Sequence, residues 1–409
     1  MIAVVRAEPG ANGVALVADR RGGRGAAWMV FLVALGAAWA VGNVGAVVDQ
    51  LSTEFDISLA TVGLLSGTLL LGFSLPGTIL APMFAEHIGI VRTMIVAVVL
   101  LAAGNAVFAA SPVFAGLVVG RAITGFGLGL AVVAGPVFAR ATGGVSRVAL
   151  FGAAIQLGAA GGLGLGAILT DVGVDWRMTF VLSAALALLP LPFLIKRQEI
   201  TYEPRRGGGF VRLAVRSARV WRLAALFLAI FSVPLVLGSW LVHYLNVDQG
   251  FAAATAGALS FVMFGVSAAA REAGGMLAQR GSSPTLLAGG AAFLAAAGLA
   301  ILALESSVAL ASVAVVAAGI GFALPYGSAV AQAQRLYPSE PAEPVALVTL
   351  VGSAIPVLLV PVIGALLDDG YGTEVFLGLA AIVAVAGALN LRPVEGSLEP
   401  RPSVARAQG

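Results

Sequence analysis

The chain has 409 residues, of which 59% are hydrophobic and only 11% charged, with a formal net charge of +3 and a mean hydropathy of +1.01. Soluble domains carry about a quarter charged residues, so this composition excludes an ordinary soluble fold and requires many lipid-buried segments. Cysteine is absent and the only histidines are His87 and His243, which excludes disulfides, thiol catalysis and a multi-histidine metal centre. The small positive charge, spread over so apolar a chain, reads as a membrane-orientation signal and not as a nucleic-acid footprint.

In chain order, residues 1–26 contain Arg6, Glu8, Asp19, Arg20, Arg21 and Arg24 without an apolar stretch, the pattern of a cytoplasmic tail and not of a cleaved leader. Six apolar runs follow at about 28–48, 59–83, 93–110, 113–139, 148–170 and 178–195, each long enough to cross or nearly cross a bilayer. Ser111-Pro112 marks a tight turn between the third and fourth. Residues 196–220 form a basic linker with a Gly207-Gly208-Gly209 stretch. Six further runs lie at about 221–245, 252–278, 285–304, 308–332, 345–367 and 374–391, followed by a tail at 393–409. The expectation is an all-α membrane protein of twelve spans, divided into an N-terminal bundle at 27–195 and a C-terminal bundle at 221–392.

Charge placement tests that count. Alternate loops and both tails collect Arg20, Arg21, Arg24, Arg92, Arg140, Arg147, Lys196, Arg197, Arg280, Arg335 and Arg392, whereas the intervening loops collect Asp49, Glu54, Asp56, Asp171, Asp175, Asp248, Asp368 and Asp369, with Arg177 as their only base. A missed span would scramble this segregation. By the positive-inside rule both termini and the linker are cytoplasmic, in a bacterial-type inner membrane. The halves also repeat: Val148–Asp171 aligns with Val345–Asp369, the glycines at 125 and 127 with those at 319 and 321, and Phe180 with Phe376. Repetition at a nearly constant offset is the signature of transporters built from repeats. Gly158, Gly162 and Gly166, like Gly125 and Gly129, recur every four residues on one helix face and permit close backbone approach.

Several motifs then resemble the major facilitator superfamily. The fourth run carries Arg121, Thr124, Gly125, Gly127 and Gly129 in the pattern "GRAITGFGLG", and Trp176, Arg177 and Phe180 form "WRMTF" at the start of the sixth. The superfamily's cytoplasmic loop signature is decayed here to Glu86, His87 and Gly89 in one half and Gly275, Gln279, Arg280 and Gly281 in the other. The resemblance implies two pseudo-symmetric six-helix bundles around a cavity that opens alternately to either side. "REAGGMLAQRG" from Arg271 is partly similar to the eighth-helix motif of nitrate/nitrite porters, where the arginine binds the anion; the symmetry-related position lies near Thr78, which puts nitrate itself in doubt.

Ionisable groups inside apolar runs point to chemistry, because each costs at least about 2.5 kcal/mol at the bilayer centre. Arg121 and Asn43 reach similar depths, and in the superfamily's fold their helices border the cavity, which makes both substrate-binding candidates, together with Arg271 and Tyr326. Glu272 is the only acid well inside a run and is the candidate proton-coupling group, with Gln156 at comparable depth as its gate partner. Asp49 and His243 occupy equivalent places in the two halves at the outer mouth and form a candidate external gate. Phosphate-cradling loops, catalytic triads and cofactor fingerprints are absent from the sequence, so the chain reads as no enzyme and uses no cofactor. The reading is a monomeric, proton-coupled secondary transporter of a small anionic solute. The alternatives are export of a lipophilic compound and a non-transporting sensor on the same fold.

Overall fold

The computed structural model describes residues 24–200, 214, 216–283, 286–304, 306–337 and 342–392. The N-terminal tail before Arg24, most of the basic linker and the C-terminal tail at 393–409 lie outside the described residues. Among the described residues, eleven helices are long and apolar enough to cross a membrane, and the bent pair Val48–Phe55 and Leu59–Gly72 raises the number to twelve.

The twelve spans are α1 (Arg24–Gly42), α2 (59–88), α3 (Ile90–Ala110), α4 (Phe114–Gly144), α5 (Ser146–Asp171), α6 (Trp176–Leu194), α7 (Ala218–Asp248), α8 (Ala253–Gln279), α9 (Leu287–Leu304), α10 (Val308–Leu336), α11 (Glu343–Asp368) and α12 (Gly372–Leu389). Between α4 and α5 the chain reverses within Gly143 and Gly144, the latter at φ +68°, a conformation that a side chain would strain. The second span contains a π-helical turn at Phe73–Gly77 that includes Pro76. The seventh contains one at Leu228–Ser232, just before Pro234. Proline lacks the N–H that a regular turn needs, and the wider turn accommodates that loss.

The two bundles repeat one packing scheme. In the first, α3 lies against α4 and α6, α1 against α5, and α2 against α4; in the second, α9 lies against α10 and α12, α7 against α11, and α8 against α10. The glycine faces visible in the sequence turn out to be packing faces within bundles. A Cβ added at Gly158 or Gly162 of α5 would lie 2.3 or 2.1 Å from the carbonyl oxygens of Leu35 or Trp39 in α1. Backbones this close gain dispersion contacts that lipid cannot supply.

Two symmetry-related interfaces join the bundles, α2 with α11 and α5 with α8. Both are tight near the end of the molecule that carries the acidic loops. Gly63 and Gly67 of α2 meet Pro361 and Val357 of α11, and Gly164 of α5 meets Gly257 and Phe261 of α8. Just past α1, Gly45 approaches Gly238 of α7 so closely that a Cβ would lie 2.0 Å from the Gly238 carbonyl oxygen. At the basic end no comparable packing joins Thr78–Ile88 of α2, Ala218–Phe227 of α7 or Tyr326–Leu336 of α10 to the opposite bundle. Among the described residues, the molecule is closed at its acidic end and parted at its basic end.

Candidate functional site

The first apolar run does not continue as helix to residue 48. Helix α1 stops at Gly42, residues 43–46 form a turn, and a separate amphipathic helix, Val48–Phe55, follows, bent by 118° from the start of α2. At this break the Gly45 backbone packs against Gly238 of α7. Asn43 therefore sits at the turn and not within a straight span. Its Nδ2 donates to Asn105 Oδ1 at 3.3 Å, and Asn105 Nδ2 donates to the Leu101 carbonyl oxygen at 2.7 Å.

Arg121 joins the same buried region. It is 1% exposed, its Nη1 donates to the Ala40 carbonyl oxygen at 2.9 Å, and its guanidinium carbon lies 5.9 Å from the Phe108 ring centroid. Its Nε and Nη2 and the Oδ1 of Asn43 are buried without hydrogen-bond partners. No aspartate, glutamate or lysine among the described residues is buried, so the guanidinium has no internal counter-charge. An unpaired buried cation of this kind costs several kcal/mol. Asn43 and Arg121 are thus brought together, but between α1, α3 and α4, inside the first bundle.

Arg271 and Tyr326 meet directly. The guanidinium carbon stands 4.0 Å over the Tyr326 ring, a cation–π geometry worth roughly 0.5–2 kcal/mol. The Arg271 side chain also reaches across to Gly152 of α5 in the other bundle, and its Nε is buried without a partner. Glu272 faces a different way, as adjacent helix positions must. It lines an open groove of about 480 Å³ with Ala27, Arg147, Leu150 and Ala153. Gln156 is half-buried and lies one turn deeper along α5 than Ala153; no hydrogen bond joins it to Glu272 in this conformation.

At the closed end, Asp49 Oδ1 and His243 Nδ1 are 2.6 Å apart, linking the Val48–Phe55 helix to α7. The same short helix is tied to its own bundle through Glu54, which accepts hydrogen bonds from Trp176 Nε1 at 2.6 Å and from Arg177 Nη1 and Nη2 at 3.0 and 2.5 Å. The Arg177 hydrogen bonds, then that from Trp176, hold the Glu54 carboxyl below the ordinary carboxylate range. Sequence reasoning placed Trp176 and Arg177 only by motif; their partner is 122 and 123 residues away.

The cytoplasmic-loop candidates are spread along the basic end. Glu86 and Arg280 are exposed, and Gly275 packs beside Gly327. Gly89 has φ +90° and lies against the carboxylate of Glu199, whose oxygens accept from the Val91 and Arg92 amides at 2.6 and 3.1 Å and so cap α3. Glu199 is one of two carboxylates whose capping role the sequence does not reveal. The second is Asp368 at the end of α11, which accepts from the amides of Leu59 and Ala60 at 2.9 and 3.1 Å. Nothing in the sequence distinguishes these acids from their solvated neighbours.

"D-xylose-proton symporter-like 2" of Arabidopsis thaliana is 33% identical over 141 residues, which is 34% of this chain and 27% of that protein. The chain thus spans about a quarter of the length of the curated relative it matches. The crystal structure of a D-xylose-proton symporter superposes with a TM-score of 0.73 at 17% identity, covering 91% of this chain and 98% of that one. A bacterial homolog of the human lysosomal transporter Spinster, in an inward-facing and unoccupied conformation, superposes with a TM-score of 0.70 at 18% identity, covering 90% and 95%. At these identities the structural likeness carries the fold alone. The family model of the Major Facilitator Superfamily matches residues 30–358, most of the chain, and this chain belongs to that superfamily.

Proposed function

We propose that the protein is a proton-coupled secondary transporter that moves a small anionic solute by alternating access, with its basic end in the cytoplasm. In that orientation the present conformation is inward-facing. The observation that carries the anionic reading is Arg271: its guanidinium lies where the bundles meet, on the parted side, stacked on Tyr326 with a buried and unpartnered Nε. A donor left unsatisfied in a buried site is costly until an acceptor arrives, and a carboxylate or similar oxyanion supplies one. Glu272, in the adjacent groove, is the group through which protonation is coupled to closure, with Gln156 one turn deeper on the facing helix.

The test is ligand-induced thermal stabilisation of purified protein, screened against small mono- and dicarboxylates, inorganic oxyanions and neutral pentoses and hexoses. A cargo stabilises the state it binds. The anionic reading requires stabilisation by an anion that disappears in Arg271→Gln and returns only partly in Arg271→Lys, which lacks the planar fork. The second reading is a neutral sugar, favoured by the printed name of the xylose-proton symporter-like relative. Stabilisation by a pentose that persists in Arg271→Gln would select it.

A further inference from the structure

The first turn of α2 is completed by the opposite bundle. Of its leading amides, Thr61 N–H is capped from within by the Ser58 hydroxyl at 3.2 Å. Those of Leu59 and Ala60 instead donate to Oδ1 and Oδ2 of Asp368, at 2.9 and 3.1 Å and more than 300 residues away. Directly beneath, Gly364 of α11 packs on the Leu59 carbonyl oxygen, where a Cβ would lie at 2.6 Å. A carboxylate on a helix N-terminus gains both hydrogen bonds and a favourable interaction with the helix dipole. Here that gain exists only while α2 and α11 are together.

The repeat makes the asymmetry informative. Asp171 ends α5 as Asp368 ends α11, yet it is exposed and makes no hydrogen bond, and α8 starts without a side-chain cap. The α5–α8 interface is closed by backbone and apolar packing around Gly164 and Gly257. Among the described residues at the acidic end, α2–α11 carries a charged clasp and α5–α8 carries none. Because Asp368 stands in a water-accessible position, water can take over both amides and the carboxylate when the contact opens, so the clasp is weak and reversible.

We propose that Asp368 is a positioning residue of the transport cycle, whose ionised carboxylate holds the acidic-end gate shut by capping the N-terminus of α2. This rests on the alternating-access reading, but its test reads conformation and not transport. The native chain has no cysteine, so a single probe at Ser66→Cys is unique. Ser66 is 3% exposed and its hydroxyl has no partner; it lies about 10 Å along α2 from Leu59, beside Gly67, which packs on Val357 of α11, so its reactivity is expected to report separation of α2 from α11. In purified, lipid-reconstituted protein, the rate of reaction with a hydrophilic maleimide is expected to rise roughly two- to fivefold in Asp368→Asn and Asp368→Ala, the range of an exposed helix-end charge. Asp368→Glu, which keeps the charge, is expected to fall between these and the parent. Asp369→Asn is the control for nearby charge and is expected to leave the rate unchanged. A parental rate in Asp368→Asn overturns the proposal, as does equal acceleration by Asp369→Asn. Thermal unfolding of each variant separates gate opening from loss of fold, since a reactivity gain accompanied by global unfolding also counts against it. A failure to find any transported solute bears on the transport reading and leaves this measurement intact.

Discussion

Asp49 and His243, 194 residues apart and in different bundles, meet at 2.6 Å across the closed end of the molecule. His243 is almost buried, with 7% of its side chain exposed, whereas 43% of the Asp49 side chain is open to solvent. The solvated partner limits the value of the contact to about 0.5–1 kcal/mol. Asp49→Asn and His243→Phe are each expected to raise acidic-end accessibility two- to fivefold by the same scale. Because the two residues act on one contact, the double variant is expected to fall short of the sum. Maleimide reactivity at Ser66→Cys measures this, and strict additivity would separate the two residues functionally.

Glu54 makes a pH-dependent contribution with a definite sign. Its carboxyl is held below the ordinary value of 4.5, first by the Arg177 hydrogen bonds and then by that from Trp176. A depressed carboxyl contributes stability that is present above its unfolded pKa and is lost as pH falls through the lowered folded value. Since the pair is exposed, the contribution is at most about 1 kcal/mol. Thermal unfolding of the parent is therefore expected to weaken below pH 4.5, relative to its own plateau, more than that of Glu54→Gln. Parallel pH profiles for the two proteins would show that the contact adds nothing to stability.

Arg121 separates fold from function. Replacing an unpaired buried cation by an apolar side chain of similar length removes a desolvation cost. Arg121→Met is expected to unfold at the parental temperature or above it. Arg121→Ala leaves a cavity and is expected to cost about 3 kcal/mol. If the guanidinium serves transport, Arg121→Met abolishes uptake in proteoliposomes while keeping this stability. A sharply lower melting temperature for Arg121→Met would show that its bond to the Ala40 carbonyl is structural.

The proposed orientation rests on the separation of acidic and basic loops. An impermeant thiol reagent applied to intact cells is expected to modify Val172→Cys and Ser306→Cys, both in exposed positions at the acidic end. It is expected to spare Arg140→Cys and Lys196→Cys, which are equally exposed at the basic end. Labelling at Lys196→Cys from outside would reverse the topology.

The sequence by itself determined the number of spans, their two-fold repetition and the sorting of charge between the two ends. These properties follow from local composition and from the length of helix a bilayer requires. It also marked Gly158, Gly162 and Arg121 as special, because a glycine ladder and a membrane-embedded cation stand out in any apolar run. What each of them touches was decided by tertiary structure. The glycine ladder packs α5 on α1, and Arg121 turns toward Ala40 and Phe108 inside its bundle. Asn43 lies in the turn after α1, where Gly45 packs on Gly238, a partner that no local period encodes. Asp368 and Asp369 are chemically identical in sequence, and only the docking of α11 on α2 gives the first of them two amides to cap. Which end is closed is likewise a property of contacts between residues hundreds of positions apart. Their energies depend on packing between the bundles, and the pattern within either bundle does not contain them.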